Sequence, residues 1–259
     1  MSLFDDLETR KEKVEELLTK KGKGNQKARV IVALDYSGSM SHLYADGTVQ
    51  TLVERLLPIG MAMDDDKSIE FYTFENHFVK RPDVTQSNIK NYVQKNIDGY
   101  MGGTSYAPVL REIAANMGIS LSGYKSTSPS PKKGGFFSRL LGGQTETATA
   151  EQTVAQGQPF PFPGYVIFIT DGETSGHSEI EAVIREMSNY GVFIQFVGIG
   201  HESFQFLDRL DNLSGRKIDN ANFFKIKDLS TVSDDKLYDL LLTEFPSWIN
   251  LAKQHKLIQ

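Results

Sequence analysis

Cysteine is absent from this 259-residue chain. No disulfide can brace the fold and no thiolate can hold a metal, which is compatible with a reducing compartment. Long hydrophobic runs are missing as well: no apolar stretch approaches the roughly 20 residues that cross a bilayer. The opening MSLFDDLETRKEKVEELLTKKGKG has no apolar core of a secretory leader, so a soluble cytoplasmic protein is expected. Nor is there a basic excess. Lys and Arg number 28 against 33 Asp and Glu, a net charge of −5, which argues against general nucleic-acid binding. The histidines (His42, His77, His177, His201, His255) form no H-E-x-x-H pair. No G-x-x-x-x-G-K-[ST] phosphate loop occurs, and KKGKGNQK lacks that spacing.

What is present is enough apolar residue, 39% of the chain, to bury one sizeable core. Residues 2 to about 20 pattern as an amphipathic helix, with Leu3, Phe4, Leu7, Val14, Leu17 and Leu18 on one face. A basic, Gly-containing linker follows to residue 27. Strands are expected at about 28–35, at SIEFYTFE, at YVIFIT (165–170), at GVFIQFVGIG and at NFFKIK. Helices are expected at about 47–63, in NIKNYVQKNI, in GGTSYAPVLREIAANMG with Thr104 or Ser105 near its start, in SEIEAVIREMSNY, in FQFLDRLDNLSG and in DDKLYDLLLTEFPSWINLAKQH, which closes the chain. The 47–63 helix carries Val49, Leu52, Val53, Leu56 and Leu57 as its apolar face. The last helix contains Pro246, where a kink is expected.

Strands and helices alternate, and at least two strands are continuous apolar runs. That pattern belongs to parallel strands buried on both faces. The expected fold is α/β: a doubly wound, mostly parallel central sheet with helices on both faces, with room for one antiparallel edge strand. Residues 1–27 form an N-terminal helix and linker, and 28–259 the domain. One segment breaks the pattern. Residues 121–163, rich in Ser, Thr, Gly, Gln and Pro, read as a disordered insertion. Within it GGFFSRLLGG, flanked by Lys132 and Lys133 and containing Arg139, is an apolar island. It is either a loop with a few sticky residues or a docking motif too short to anchor firmly alone.

The chemistry is concentrated where strands end. VIVALDYSGSM (30–40) is an apolar run that closes on Asp35, with hydroxyls at Ser37 and Ser39. Side chains just past the carboxyl end of a parallel strand face the ligand crevice. Gly38 permits a tight bend, so oxygens at 35, 37 and 39 can converge. Such a hard-oxygen set suits Mg²⁺ or Mn²⁺. Alone, D-x-S-x-S is a weak pattern. GYMGGTSYAPVL adds Thr104 at a helix start, and IFITDGETSG adds Asp171 at the end of a buried strand.

Together these residues resemble the metal-ion-dependent adhesion site of von Willebrand factor A (vWA) domains: D-x-S-x-S, then T, then D. All five positions match, as Asp35, Ser37, Ser39, Thr104 and Asp171, and the resemblance covers about 28–245. LDYSGSM, GGTSYAPVL and FITDGE are more particularly similar to bacterial tellurium-resistance (TerF-type) vWA proteins. The resemblance implies that Ser37 and Ser39 coordinate a divalent cation directly. Thr104 does so directly or through water, while Asp35 and Asp171 neutralise charge and hold metal-bound waters. Mg²⁺ is expected first, with Mn²⁺ or Ca²⁺ open. It further implies a protein partner that completes the shell with an Asp or Glu, and a role in tellurite or other chemical stress. Nucleic-acid binding and stable membrane insertion are not expected; the oligomeric state is open.

Each residue also has a plainer reading. Asp35 can be a helix cap, Ser37 and Ser39 can satisfy turn backbone, and Thr104 can be an N-cap. T-D-G is an ordinary turn. Asp64, Asp65 and Asp66 read as a solvated turn. His42 and His177 follow the first and third loops, Glu173 sits beside Asp171, and Tyr36 and Tyr106 flank the motifs. An enzyme using Asp35 as nucleophile is disfavoured. Phosphatases of that layout resemble D-x-D, and position 37 is Ser, which cannot serve as the second acid. Ser37 lies in no G-x-S-x-G elbow. A metal-independent scaffold is the third reading.

Overall fold

A computed structural model describes residues 2–124, 159–172 and 174–259. Most of the proposed insertion, with GGFFSRLLGG, Lys132, Lys133 and Arg139, lies outside the described residues, as does Glu173.

Six strands form one sheet in the order β3-β2-β1-β4-β5-β6. They are β1 (Arg29–Asp35), β2 (Ile69–Phe74), β3 (Phe78–Val84), β4 (Gly164–Thr170), β5 (Val192–Ile199) and β6 (Ala221–Ile226). All neighbours are parallel except β2 and β3, which are antiparallel. The antiparallel edge strand is therefore β3, which the sequence pattern does not reveal. FVKRPDV carries three charges and Pro82. A proline is tolerated there because an edge strand has a side that needs no ladder bond.

Among the described residues the α-helices are α1 (Leu3–Lys20), α2 (Ser41–Ala45), α3 (Thr48–Met63), α4 (Tyr92–Asn96), α5 (Tyr106–Asn116), α6 (His177–Met187), α7 (Gln205–Asp211), α8 (Asp234–Leu241) and α9 (Phe245–Gln254). They flank the sheet in two groups. The alternation of side chains along β4 shows this: Tyr165 donates to Leu241 O and stacks near Phe245, whereas Phe168 packs on Tyr106 and Phe74. Every residue of β4 and β5 is buried, as expected of strands covered on both faces.

The N-terminal helix starts with a reciprocal cap between Ser2 and Asp5. It buries Leu7, Val14 and Leu18, while Phe4 stays 52% exposed. Its basic side chains meet the acids of α8: Arg10 with Asp234, Lys13 with Asp235, and Lys21 of the linker with Asp239. Asp234 also takes Arg55 of α3, so one carboxylate ties three helices together. The long C-terminal helix expected from the pattern is two helices. Their break falls at residues 242–244, and Pro246 stands in the first turn of α9, where its missing N–H costs nothing.

Candidate metal centre

The strand order reverses between β1 and β4, so the loops after these strands diverge and leave a crevice at the carboxyl edge of the sheet. Asp35 ends β1 and Asp171 follows β4 directly. Residues 38–40 form a 3₁₀ turn that brings Ser39 back over the strand end. The second loop is drawn in by a parallel bridge between Ser37 and Gly102, with Gly38 N–H donating to Gly102 O at 3.0 Å.

A chain of oxygens runs from Ser37 to Asp171, and Asp35 joins it through the Ser37 amide. Asp35 Oδ1 accepts from Ser37 N–H at 2.8 Å. Ser37 Oγ lies 3.0 Å from Ser39 Oγ, and Ser39 Oγ donates to Asp171 Oδ1 at 2.9 Å. Asp35 is fully buried, Ser37 and Asp171 are buried, and Ser39 faces solvent. Four of the five expected residues are thus brought together. Thr104 stands two residues beyond the Gly102 bridge; among the described residues its hydroxyl bonds to none of the other four, and its carbonyl accepts from Thr174 Oγ1 at 3.0 Å. It is not the N-cap of α5. Ser105 holds that position without a side-chain cap bond, and its N–H is spent on Glu75 O.

The electrostatics favour a cation. Burial pushes the Asp35 carboxyl up to about 6, against opposing hydrogen bonds from Thr170 and Ser37 and with the Asp171 charge adding to the rise. Asp171 is raised as well, chiefly by burial. Among the described residues no Lys or Arg pairs with either acid. An octahedral cation with oxygens at about 2.0–2.1 Å sets neighbouring oxygens about 2.9 Å apart. The Ser37–Ser39 separation of 3.0 Å, a hydrogen bond in the metal-free chain, leaves both hydroxyls close enough to share such a cation. Hydroxyl and carboxylate oxygens are the donor types that suit a hard divalent ion. No group of three or more His, Cys, Asp or Glu gathers among the described residues, so any metal here depends on the hydroxyls.

Several supporting residues carry no motif signal. Thr170 is fully buried and donates to Asp35 Oδ2 at 2.6 Å. Tyr44 donates to Asp35 O at 2.8 Å. Gly102 leaves room for the end of the Glu75 side chain: a Cβ there would stand 2.1 Å from Glu75 Oε2, which would have to swing aside. Tyr106 is fully buried, donating to Gly172 O at 2.6 Å, so it packs in the core and steadies the third loop. Tyr36 is half-buried beside Tyr44. His42 is exposed with Nδ1 2.9 Å from Ser39 O, and His177 stacks on Phe206. The Asp64–Asp66 turn is not simply solvated, because Asp64 is buried and accepts from Val30 N–H at 3.0 Å.

Comparison with known proteins identifies the family and the fold. The vWA-TerF-like family, described as the vWA found in the TerF C terminus, matches residues 27–258. The chain belongs to this vWA family. The uncharacterized protein YcbR of Bacillus subtilis (strain 168) is 34% identical over 253 residues, covering 98% of this chain and 90% of YcbR. Proximal thread matrix protein 1 of the mussel byssus shares the fold with a TM-score of 0.53 at 15% identity. That alignment covers 84% of this chain and 48% of the mussel protein. As a vWA-type module, the chain is a protein-interaction or adhesion domain in general terms. Among the described residues no helix is long and apolar enough to cross a membrane.

Proposed function

We propose that this vWA domain is a metal-dependent latch for an acidic side chain of a protein partner. Ser37, Ser39 and Thr104 would hold a divalent cation, with Mg²⁺ favoured by the hydroxyl-rich set. Asp35 and Asp171 would neutralise part of its charge. When bound, the cation supplies an electron-poor position that a partner Asp or Glu can fill. The chain's own residues do the rest. Thr170 and the Ser37 amide hold Asp35 in one rotamer, and the Gly102 bridge fixes the second loop against the first. The site is assigned binding and no catalysis, since no second acid stands two residues beyond Asp35. The setting proposed is the bacterial cytoplasm, in response to tellurite or related chemical stress, in line with the TerF-type family.

The observation that supports this reading best is the Ser37–Ser39–Asp171 chain of oxygens at the switch point of the sheet, with Asp35 joined to it through the Ser37 amide. Calorimetric titration of Mg²⁺, Mn²⁺ and Ca²⁺ tests it, beside a Ser37→Ala/Ser39→Ala variant. One saturable site, lost in the variant, is the expected result. Equal behaviour of the two proteins, with neither binding, would leave the oxygen chain as turn chemistry in a metal-independent scaffold.

A further inference from the structure

A groove opens beside Ser37, between the first loop, the β2–β3 edge and the loop at 98–102. Its volume is about 200 Å³, and Tyr36, Phe74, Val79 and Tyr100 supply its apolar lining. Tyr100 is 86% exposed and Val79 47%; these are two of the three large hydrophobics left exposed among the described residues. The two face one cleft, whose remaining lining includes Thr73, Glu75, His77, Arg81 and Asp98.

Tyr100 is not exposed for want of anchoring. Arg81 forks onto Asn96 O, Asp98 Oδ1 and Asp98 O at 2.8–3.0 Å, and Tyr36 Oη donates to Gly99 O at 3.2 Å. Gly99 at φ +111° makes the turn that presents the next residue outward. The segment before Tyr100 is therefore pinned, and two residues after it Gly102 is bridged to Ser37. A ring held out on a fixed backbone costs less ordering when something binds it. The groove lies next to the loop that carries Ser37: Tyr36 lines it, and the Tyr100 loop is tied to the first loop by the Tyr36–Gly99 bond and the Ser37–Gly102 bridge.

We propose that this groove receives an aromatic or branched aliphatic side chain of the same protein partner that presents its carboxylate at Ser37 and Ser39. The proposal rests on the latch reading and adds the partner's chemistry: an acid with a bulky apolar neighbour. The carboxylate alone is common to every acidic surface, and the groove supplies the discrimination.

The test uses the full chain in millimolar Mg²⁺ and a displayed library of short peptides with one fixed Asp or Glu and randomised flanks. Selection is run on the wild type, on Tyr100→Ser/Val79→Ser, and on Ser37→Ala/Ser39→Ala. The wild type should enrich aromatic or branched aliphatic residues beside the acid. Synthetic versions of those peptides should bind the Tyr100→Ser/Val79→Ser protein at least about tenfold more weakly, a loss of about 1.4 kcal/mol. Calorimetry should show its cation affinity unchanged. The Ser37→Ala/Ser39→Ala protein should bind none of them. Acid-selective binding with no flanking preference, or with a preference that survives in Tyr100→Ser/Val79→Ser, overturns the groove and leaves the latch standing. No metal-dependent binder at all overturns the latch and the groove with it. Self-association of the wild type that disappears in Tyr100→Ser/Val79→Ser overturns the proposal in favour of a second copy as occupant.

Discussion

Ser39 and Asp171 are separated by 132 residues of chain, yet Ser39 Oγ donates to Asp171 Oδ1 at 2.9 Å. This bond closes the first loop on the third across the strand switch. It couples the two halves of the candidate centre, so the residues on either side of it should not behave independently.

That coupling gives a first prediction. Asp171→Asn keeps the shape and the oxygen facing Ser39 but removes a charge from the site. Mg²⁺ affinity should fall by about tenfold or more, while the midpoint of urea unfolding without metal should hold or rise. Asp171 is raised by burial, so its ionised form is a cost to the metal-free fold. Calorimetry and urea denaturation on the same samples check it. A large loss of metal-free stability would show that Asp171 serves the fold and not a cation.

A second prediction concerns pH. Burial leaves Asp35 half-protonated at about pH 6 in the metal-free chain. A proton on Asp35 competes with the cation, so binding should weaken as pH falls through about 6, by up to about tenfold per pH unit below it, and level off above pH 7. Thr170→Val removes the donor to Asp35 Oδ2 and should move the midpoint upward, because a hydrogen bond to the charged form is lost. Calorimetric affinities across pH 5–8 for both proteins decide this. A midpoint that does not move in Thr170→Val would mean that the Thr170 bond does not hold the carboxylate ionised.

How much of this was legible in the sequence follows from where the signals lie. The buried runs at 30–34 and 165–170 announce parallel strands, and Asp35, Ser37, Ser39 and Asp171 fall at their ends, so most of the site can be read. Thr170 cannot, because a threonine at the end of an apolar strand looks like ordinary β-propensity; only the fold sets it against Asp35. For Tyr106 the pattern decides nothing: it follows Thr104 and Ser105 of the motif and can flank the site or pack, and only the first turn of α5 points it inward onto Phe74 and Phe168. β3 escaped because its pattern answers to a sheet edge, where charge and proline protect against pairing with other chains. Asp64 escaped because two exposed aspartates follow it, and a run of like charges reads as solvated.

Gly60 supplies a packing prediction. It lies in α3, where a Cβ would stand 2.3 Å from Ser68 O and 2.8 Å from Ile69 Cγ1. Ala normally favours a helix over Gly by roughly 1 kcal/mol. Here the obstruction is backbone at the start of β2, which cannot swing aside, so overpacking should outweigh propensity. Gly60→Ala is expected to destabilise by about 1–3 kcal/mol in urea. Stabilisation by the substitution would show that α3 can lift from β2 at little cost.

Asp64 ties the end of α3 to the sheet by accepting from Val30 N–H, and burial pushes its carboxyl up to about 7. In the unfolded chain it returns to the ordinary carboxylate value of 3.8. Between those two values the folded protein binds more protons than the unfolded one, so this group's contribution to stability falls as pH rises from about 4 to about 7. Asn has the same shape, can still accept from Val30, and never ionises. Asp64→Asn should therefore match the wild type near pH 4 and exceed it by about 1–3 kcal/mol at pH 8. Asp35 titrates in the same direction in both proteins, so it cancels from the difference. Urea unfolding of wild type and variant in metal-free buffer from pH 4 to 8 measures the gap directly. Parallel curves would mean that Asp64 is ionised in the folded state across this range, with water reaching the turn between α3 and β2.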